Sequence, residues 1–212
     1  MVDAGLALPE TSIAPLATDQ VIVLRGVTWA DYQRLLEIRG DGSVPRLTYL
    51  EGSLELMRPS KPHALIKAML GRLVEAFCLE RGVDITPYGS WTLESKESER
   101  GAEPDECYLL GGREEEDRPD LAIEVIWTSG GLDKLEVYRK LRVAEVWIWR
   151  EGRIEIFALR GERYEPITHS ELLPALDFDV LVGFLGVRPM TRAIREYRAL
   201  LKGADDDESA SK

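Results

Sequence analysis

The chain has 212 residues, 44% of them hydrophobic, and a formal net charge of −11. That length suits one domain with a real core, and no apolar run approaches the ~20 residues a membrane-spanning helix needs. Its two cysteines, Cys78 and Cys107, exclude a disulfide framework, and its two histidines, His63 and His169, argue against zinc. Carboxylate-bound Mg2+ or Mn2+ stays open.

In chain order, residues 1–20 are aperiodic and contain prolines. They read as a flexible arm, without the basic and apolar regions of a signal peptide, so the expected location is cytoplasmic. Thr28 and Asp31 are spaced as a capping box, which predicts a helix over 29–38. Runs at 46–50 and 54–57 flank Glu51 and Gly52 and read as a β-hairpin. The strongest helical periodicity covers 60–81, stopped by Gly82. Short strands follow near 83–86, 90–94, 105–109 and 121–126.

A short helix is expected over 132–141, then a second hairpin, 145–150 with 153–159, around Glu151 and Gly152. Its first strand alternates Trp147 and Trp149 with Val146 and Ile148, which predicts one core face and one face open to a partner. The run 172–181 is apolar, and 188–202 reads as a final helix. Residues 203–212 read as an acidic disordered tail, leaving 21–202 as a single domain. Without that tail's four acids and Lys212 the charge is still −8, so tight non-specific DNA binding is not expected. The class is α+β: a central mixed sheet flanked by helices, with an N-terminal helix and β-hairpin.

Chemistry concentrates at Asp105, Asp120, Glu124 and Lys134. Asp120 and Glu124 are four residues apart on one strand and so lie roughly 13 Å apart, too far to share one ion. Glu124 therefore needs a carboxylate from a neighbouring strand, and Asp105 is the natural candidate. Together they can hold Mg2+ or Mn2+, which would activate a water and neutralise charge on a phosphate. Lys134 can steady that charge if its helix passes over Glu124, and Tyr138 lies one turn further on the same helical face.

The stretch PDLAIEVIWTSGGLDKLEVYRKLRVAEVWIWR, residues 119–150, resembles the Uma2 family (DUF820) in its Pro119-Asp120, Glu124-Val125, Lys134, Tyr138 and Trp147-Ile148. Upstream, Glu51-Gly52, Pro59-Ser60 with His63, and Glu103-Pro104-Asp105 resemble the family's early hairpin, helix start and first acidic strand. The resemblance covers about 28–185 and implies a restriction-endonuclease-like fold of the PD-(D/E)xK type. By that likeness Asp105 and Glu124 bind metal, Lys134 completes a catalytic set, and the chain is a DNA endonuclease acting as a homodimer. The superfamily's usual lysine position, two after the glutamate, holds Ile126. That fits a lysine relocated to the next helix and equally a lost site.

Blander readings stand beside these. His63 can be a helix-start contact or a phosphate or metal-neighbouring group, and Glu51 a turn residue or, by resemblance, a residue near the site. His169 lies in a polar loop. The rival function is an inactive, dimerising or regulatory DNA-associated module on the same fold.

Overall fold

A computed structural model describes residues 17–113, 116–128 and 130–210. Its elements run β1 (Gln20–Arg25), α1 (Trp29–Arg39), β2 (Arg46–Leu50), β3 (Ser53–Arg58), α2 (Lys61–Arg81), β4 (Ile85–Pro87), β5 (Leu93–Ser95) and β6 (Arg100–Ala102). Then follow β7 (Glu106–Leu110), β8 (Leu121–Val125), α3 (Lys134–Leu141), β9 (Glu145–Arg150), β10 (Arg153–Arg160), β11 (Arg163–Ile167), α4 (Phe178–Phe184) and α5 (Met190–Ala210).

The strands form two sheets rather than one, ordered β1-β3-β2-β6-β5 and β11-β10-β9-β8-β7-β4. The second is mixed, because β8 and β9 pair in parallel and the rest antiparallel. The helix α3 supplies the crossover that a parallel pair requires. Strands β1, β6 and β11 and helix α4 are the elements that periodicity leaves unassigned. Each is short or irregularly patterned; β1 pairs with β3 and β6 with β2, well separated along the chain, whereas β11 closes a hairpin on β10.

Helix α1 starts where its capping box predicts: Asp31 N donates to Thr28 Oγ1 and Thr28 N to Asp31 Oδ2. Helix α2 is capped by Ser60 and ends on Gly82 in the left-handed region, φ +62°. Helix α5 continues beyond the expected end at 202 to Ala210. The expected arm is mostly outside the described residues (1–16), but its last part is structured: Asp19 is buried and Gln20 opens β1. Of the acidic loop run, residues 114–115 lie outside the described residues, and so do 211–212 of the tail.

Residues 145–149 of β9 are buried on both of its faces, with Ile148 also bordering a cleft. Trp147 and Trp149 join Ile123, Val125 and the apolar stripe of α2 and α5 in the largest core. Val146 and Ile148 belong to a second core with Ala122, Val137, Tyr138 and Leu141 under α3. A third core of Trp29, Tyr32, Leu47, Tyr49 and Leu54 lies under α1. No described helix is long and apolar enough to cross a membrane.

The third core presses on β6. A Cβ on Gly101 would run into the Tyr32 hydroxyl and ring, and Tyr32 stacks on Tyr49 with centroids 5.2 Å apart. Gly101→Ala should therefore destabilise the chain by about 1–3 kcal/mol through overpacking. Thermal melting checks this, and an unchanged midpoint would show that the tyrosine pair yields freely.

Candidate active site

The two sheets meet face to face across a buried cluster of charges. In the second sheet, β7 and β8 pair antiparallel with Glu106 opposite Ile123. Carried one step further, that register sets Asp105 opposite Glu124. In the first sheet, Arg46 and Thr48 alternate with Leu47 and Tyr49 along β2, and Glu55 on β3 sits opposite Thr48. The apolar set faces α1, so Arg46, Thr48 and Glu55 face the other way, toward Glu124.

Asp105 is fully buried and its oxygens are occupied. Oδ1 takes the Arg46 guanidinium and lies 2.8 Å from His63 Nε2; Oδ2 accepts from Val125 N at 2.7 Å. Burial alone would raise its pKa, but Arg46, His63 and the Val125 amide outweigh burial and hold it below the usual carboxylate range. His63, also fully buried, bridges to a second acid: its Nδ1 is 3.0 Å from Asp19 Oδ2. Asp19 is held in turn by Ser60 N at 2.8 Å and donates its own N–H to Thr128 Oγ1 at 3.0 Å. Burial pushes the His63 imidazole down, yet bonds to Asp105 and Asp19 carry it up to about 9.

Glu124 is 2% exposed. Its Oε1 accepts from the Tyr138 hydroxyl at 2.5 Å and lies 4.0 Å from Lys134 Nζ. Oε2 has no protein partner among the described residues. Burial raises its pKa, Lys134 opposes that, Asp105 adds to it, and the net shift is upward. Lys134 opens α3, whose N-cap is Asp133, and its Nζ reaches Glu55 Oε1 at 3.0 Å and Thr48 Oγ1 at 2.6 Å. Burial would lower the lysine pKa, but Glu124 and Glu55 more than reverse that, so it stays charged. Glu55 Oε2 also accepts from Leu132 N at 2.6 Å, and this anchors the loop before α3.

The structure thus brings Asp105, Glu124, Lys134, Tyr138 and His63 together. It does not bring in the other two candidates. Asp120 lies at the far end of β8, accepting from Leu110 N at 2.9 Å and pairing with Arg113. Glu51 sits at the hairpin tip with φ +41°, 68% exposed, paired with Arg100. It is a turn residue, exposed at the hairpin tip. Among the described residues His169 bonds its neighbour Thr168. Sequence reasoning misses Arg46, Thr48, Glu55 and Asp19. The signal available for Glu55 was a charge inside the apolar run of β3, the argument that picks out Glu124.

Glu124, Glu55, Asp19 and Lys134 line an open cleft of about 530 Å3, whereas Asp105 is fully buried and is not part of its lining. Among the described residues no three His, Cys, Asp or Glu side chains converge as a ready-made metal cage. The donor chemistry still fits a hard divalent cation. Glu124 offers an unpartnered carboxylate oxygen beside two further carboxylates, and Mg2+ commonly binds through one or two carboxylates with water and phosphate completing its shell.

The His63 bridge makes stability depend on pH. Its pKa is higher in the folded chain than the ordinary 6.5. Its stabilisation is therefore complete below about pH 6.5 and is lost as pH rises through about 9, by up to about 3 kcal/mol. In chelator-treated protein the melting temperature should fall across that window, and His63→Gln should flatten the fall. A parent profile level from pH 6 to 9 would contradict it.

The sequence model of the Uma2 family, described as "Putative restriction endonuclease", matches residues 29–185. A similar solved structure is that of a "putative nuclease belonging to DUF820" from Anabaena variabilis ATCC 29413. It is 14% identical, with a TM-score of 0.43, over 74% of this chain and 92% of that one. Likeness at that level carries no argument about activity. No curated protein matches the chain. With roughly three quarters of its residues matched, the chain belongs to the Uma2 family.

Proposed function

We propose that the chain is a divalent-metal-dependent DNA endonuclease, with Asp105, Glu124 and Lys134 as its catalytic set. The observation that carries this reading is that Glu124, Glu55 and Lys134 line the same cleft, with the β7–β8 register setting Asp105 opposite Glu124. Family membership supports the broader reading, a restriction-endonuclease-like nuclease.

Glu124 and Asp105 would hold Mg2+ or Mn2+, with Glu55 beside them. Once bound, the ion supplies a water of lowered pKa and neutralises charge at the phosphate. The protein's own contributions are separable from that. Lys134, kept protonated by Glu124 and Glu55, presents a positive charge to a phosphate oxygen at the cleft wall. Tyr138 fixes the Glu124 carboxylate through a single hydrogen bond, leaving the other oxygen open. Thr48 orients the lysine, and His63 with Asp19 holds Asp105 in place.

One observation favours the inactive-module reading. Asp105 has no exposed surface, and Arg46, His63 and Val125 already occupy its oxygens. An ion there has to take over the neutralising role of Arg46.

Incubation with supercoiled plasmid and Mn2+ or Mg2+ separates the two. The parent should nick the plasmid. Glu124→Gln and Lys134→Met should each lose on the order of 100-fold or more of that rate while staying folded. Asp105→Asn is preferred to alanine because it keeps the side chain's shape and an acceptor oxygen for Val125 N; it still removes the charge that neutralises Arg46, a loss of about 3–5 kcal/mol for a buried pair, so its melting curve is recorded alongside. No nicking by the parent, or equal nicking by parent and variants, would remove the nuclease reading.

A further inference from the structure

We propose that the cleft admits one unpaired nucleotide, so that the substrate is single-stranded or locally opened DNA rather than intact duplex. This rests on the nuclease reading and goes beyond it. The first ground is how deeply the reactive groups are recessed. Glu124 is 2% exposed and the Lys134 side chain 10%. In a duplex the phosphates run along the outside of a backbone that the stacked bases hold stiff, so a single phosphate does not sink into such a recess, whereas a flexible strand can turn one nucleotide into it. The paid cost is that of unstacking, a few kcal/mol in a duplex and least where the strand is already open.

The second ground is the cleft floor. It is one face of β8, β9 and β10. Across it Glu124, Ile148 and Glu155 lie in one row; in the next row Phe157 lines the cleft, while its row neighbours Val146 and Ala122 are buried under α3. At ~4.8 Å per strand, Ile148 is one step and Glu155 two steps from Glu124. A nucleotide with its phosphate at Glu124 and Lys134 therefore lays its base over Ile148 and Phe157. Val21, Met57 and Leu135 complete an apolar lining that a phosphate backbone has no use for. A base does, since every base offers a π face to an aromatic or apolar platform.

The third ground is charge. Among the described residues lining the cleft, five are acids and two, Lys134 and Arg150, are bases. These lining residues offer no basic track for a duplex backbone, so affinity at the cleft comes from contact with a base and from the bound cation rather than from many phosphate contacts. The volume of about 530 Å3 is that of a small-molecule site, not of a duplex groove.

Fluorescence anisotropy with a short fluorescein-labelled oligodeoxynucleotide, single-stranded or annealed to its complement, tests this with Ca2+ present. The single strand should bind about 10-fold or more tighter than the duplex. Phe157→Ala should erase that margin and Phe157→Tyr should keep it, each with a melting curve recorded alongside. If Phe157→Ala does not fold, Phe157→Leu removes the ring while keeping the bulk and should also erase the margin. Duplex bound as well as single strand, or a folded ring-less variant that keeps the margin, overturns the inference. Metal-dependent nicking without single-strand preference overturns it and leaves the nuclease reading intact. Ring-dependent binding of the single strand with no cleavage in Mn2+ or Mg2+ does the reverse.

Discussion

The carboxylate of Asp105 is the joint at which the two sheets, helix α2 and strand β8 are fastened. Arg46 reaches it from the first sheet, His63 from the first turn of α2, and the Val125 amide from the adjacent strand. A fully buried carboxylate is costly unless every lone-pair direction finds a donor. Here three different elements must be in register for that to happen. The condition fixes the spacing of the sheets and so fixes where Glu124 and Lys134 stand. The hydrophobic cores drive collapse, but they would tolerate small slips that this joint does not.

Lys134 forms a second tie across the same seam. It crosses from α3 to Thr48 and Glu55 in the first sheet while standing 4.0 Å from Glu124 in the second. Its environment keeps it charged, and the same ion pairs that hold the sheets together place a cation at the cleft wall. Stability and proposed chemistry therefore draw on one set of residues. This is why a variant that loses activity must be shown to remain folded before a catalytic role is assigned.

Much of this was legible in the sequence. The capping box, the long periodic helix and both hairpins follow from local pattern alone. The Asp105–Glu124 pairing follows from strand geometry, because the 3.3 Å rise separates Asp120 from Glu124. What was not legible depends on contacts far along the chain. Arg46 and Thr48 sit in a strand whose other face is the apolar one, so their burial needs the second sheet to be known. Asp19 lies in a segment without periodicity, and only its bonds to His63, Ser60 and Thr128 give it a place. Burial of an acid is also a weak discriminator by itself. Glu103 and Glu145 are as buried as Glu55, yet they are satisfied by backbone amides and neighbouring side chains away from the cleft. Glu51, a turn residue by its pattern and a residue near the site by resemblance, stands at the exposed tip of the hairpin.

Glu124 and Asp105 are proposed to form one cation site at the seam between the sheets. Electron paramagnetic resonance of Mn2+ tests it most directly, since the free-ion signal disappears on binding. The account predicts that the parent chain removes Mn2+ signal saturably and that Glu124→Gln and Asp105→Asn, each shown to be folded, both abolish the effect. Undiminished binding in either variant, or no binding by the parent, would contradict it.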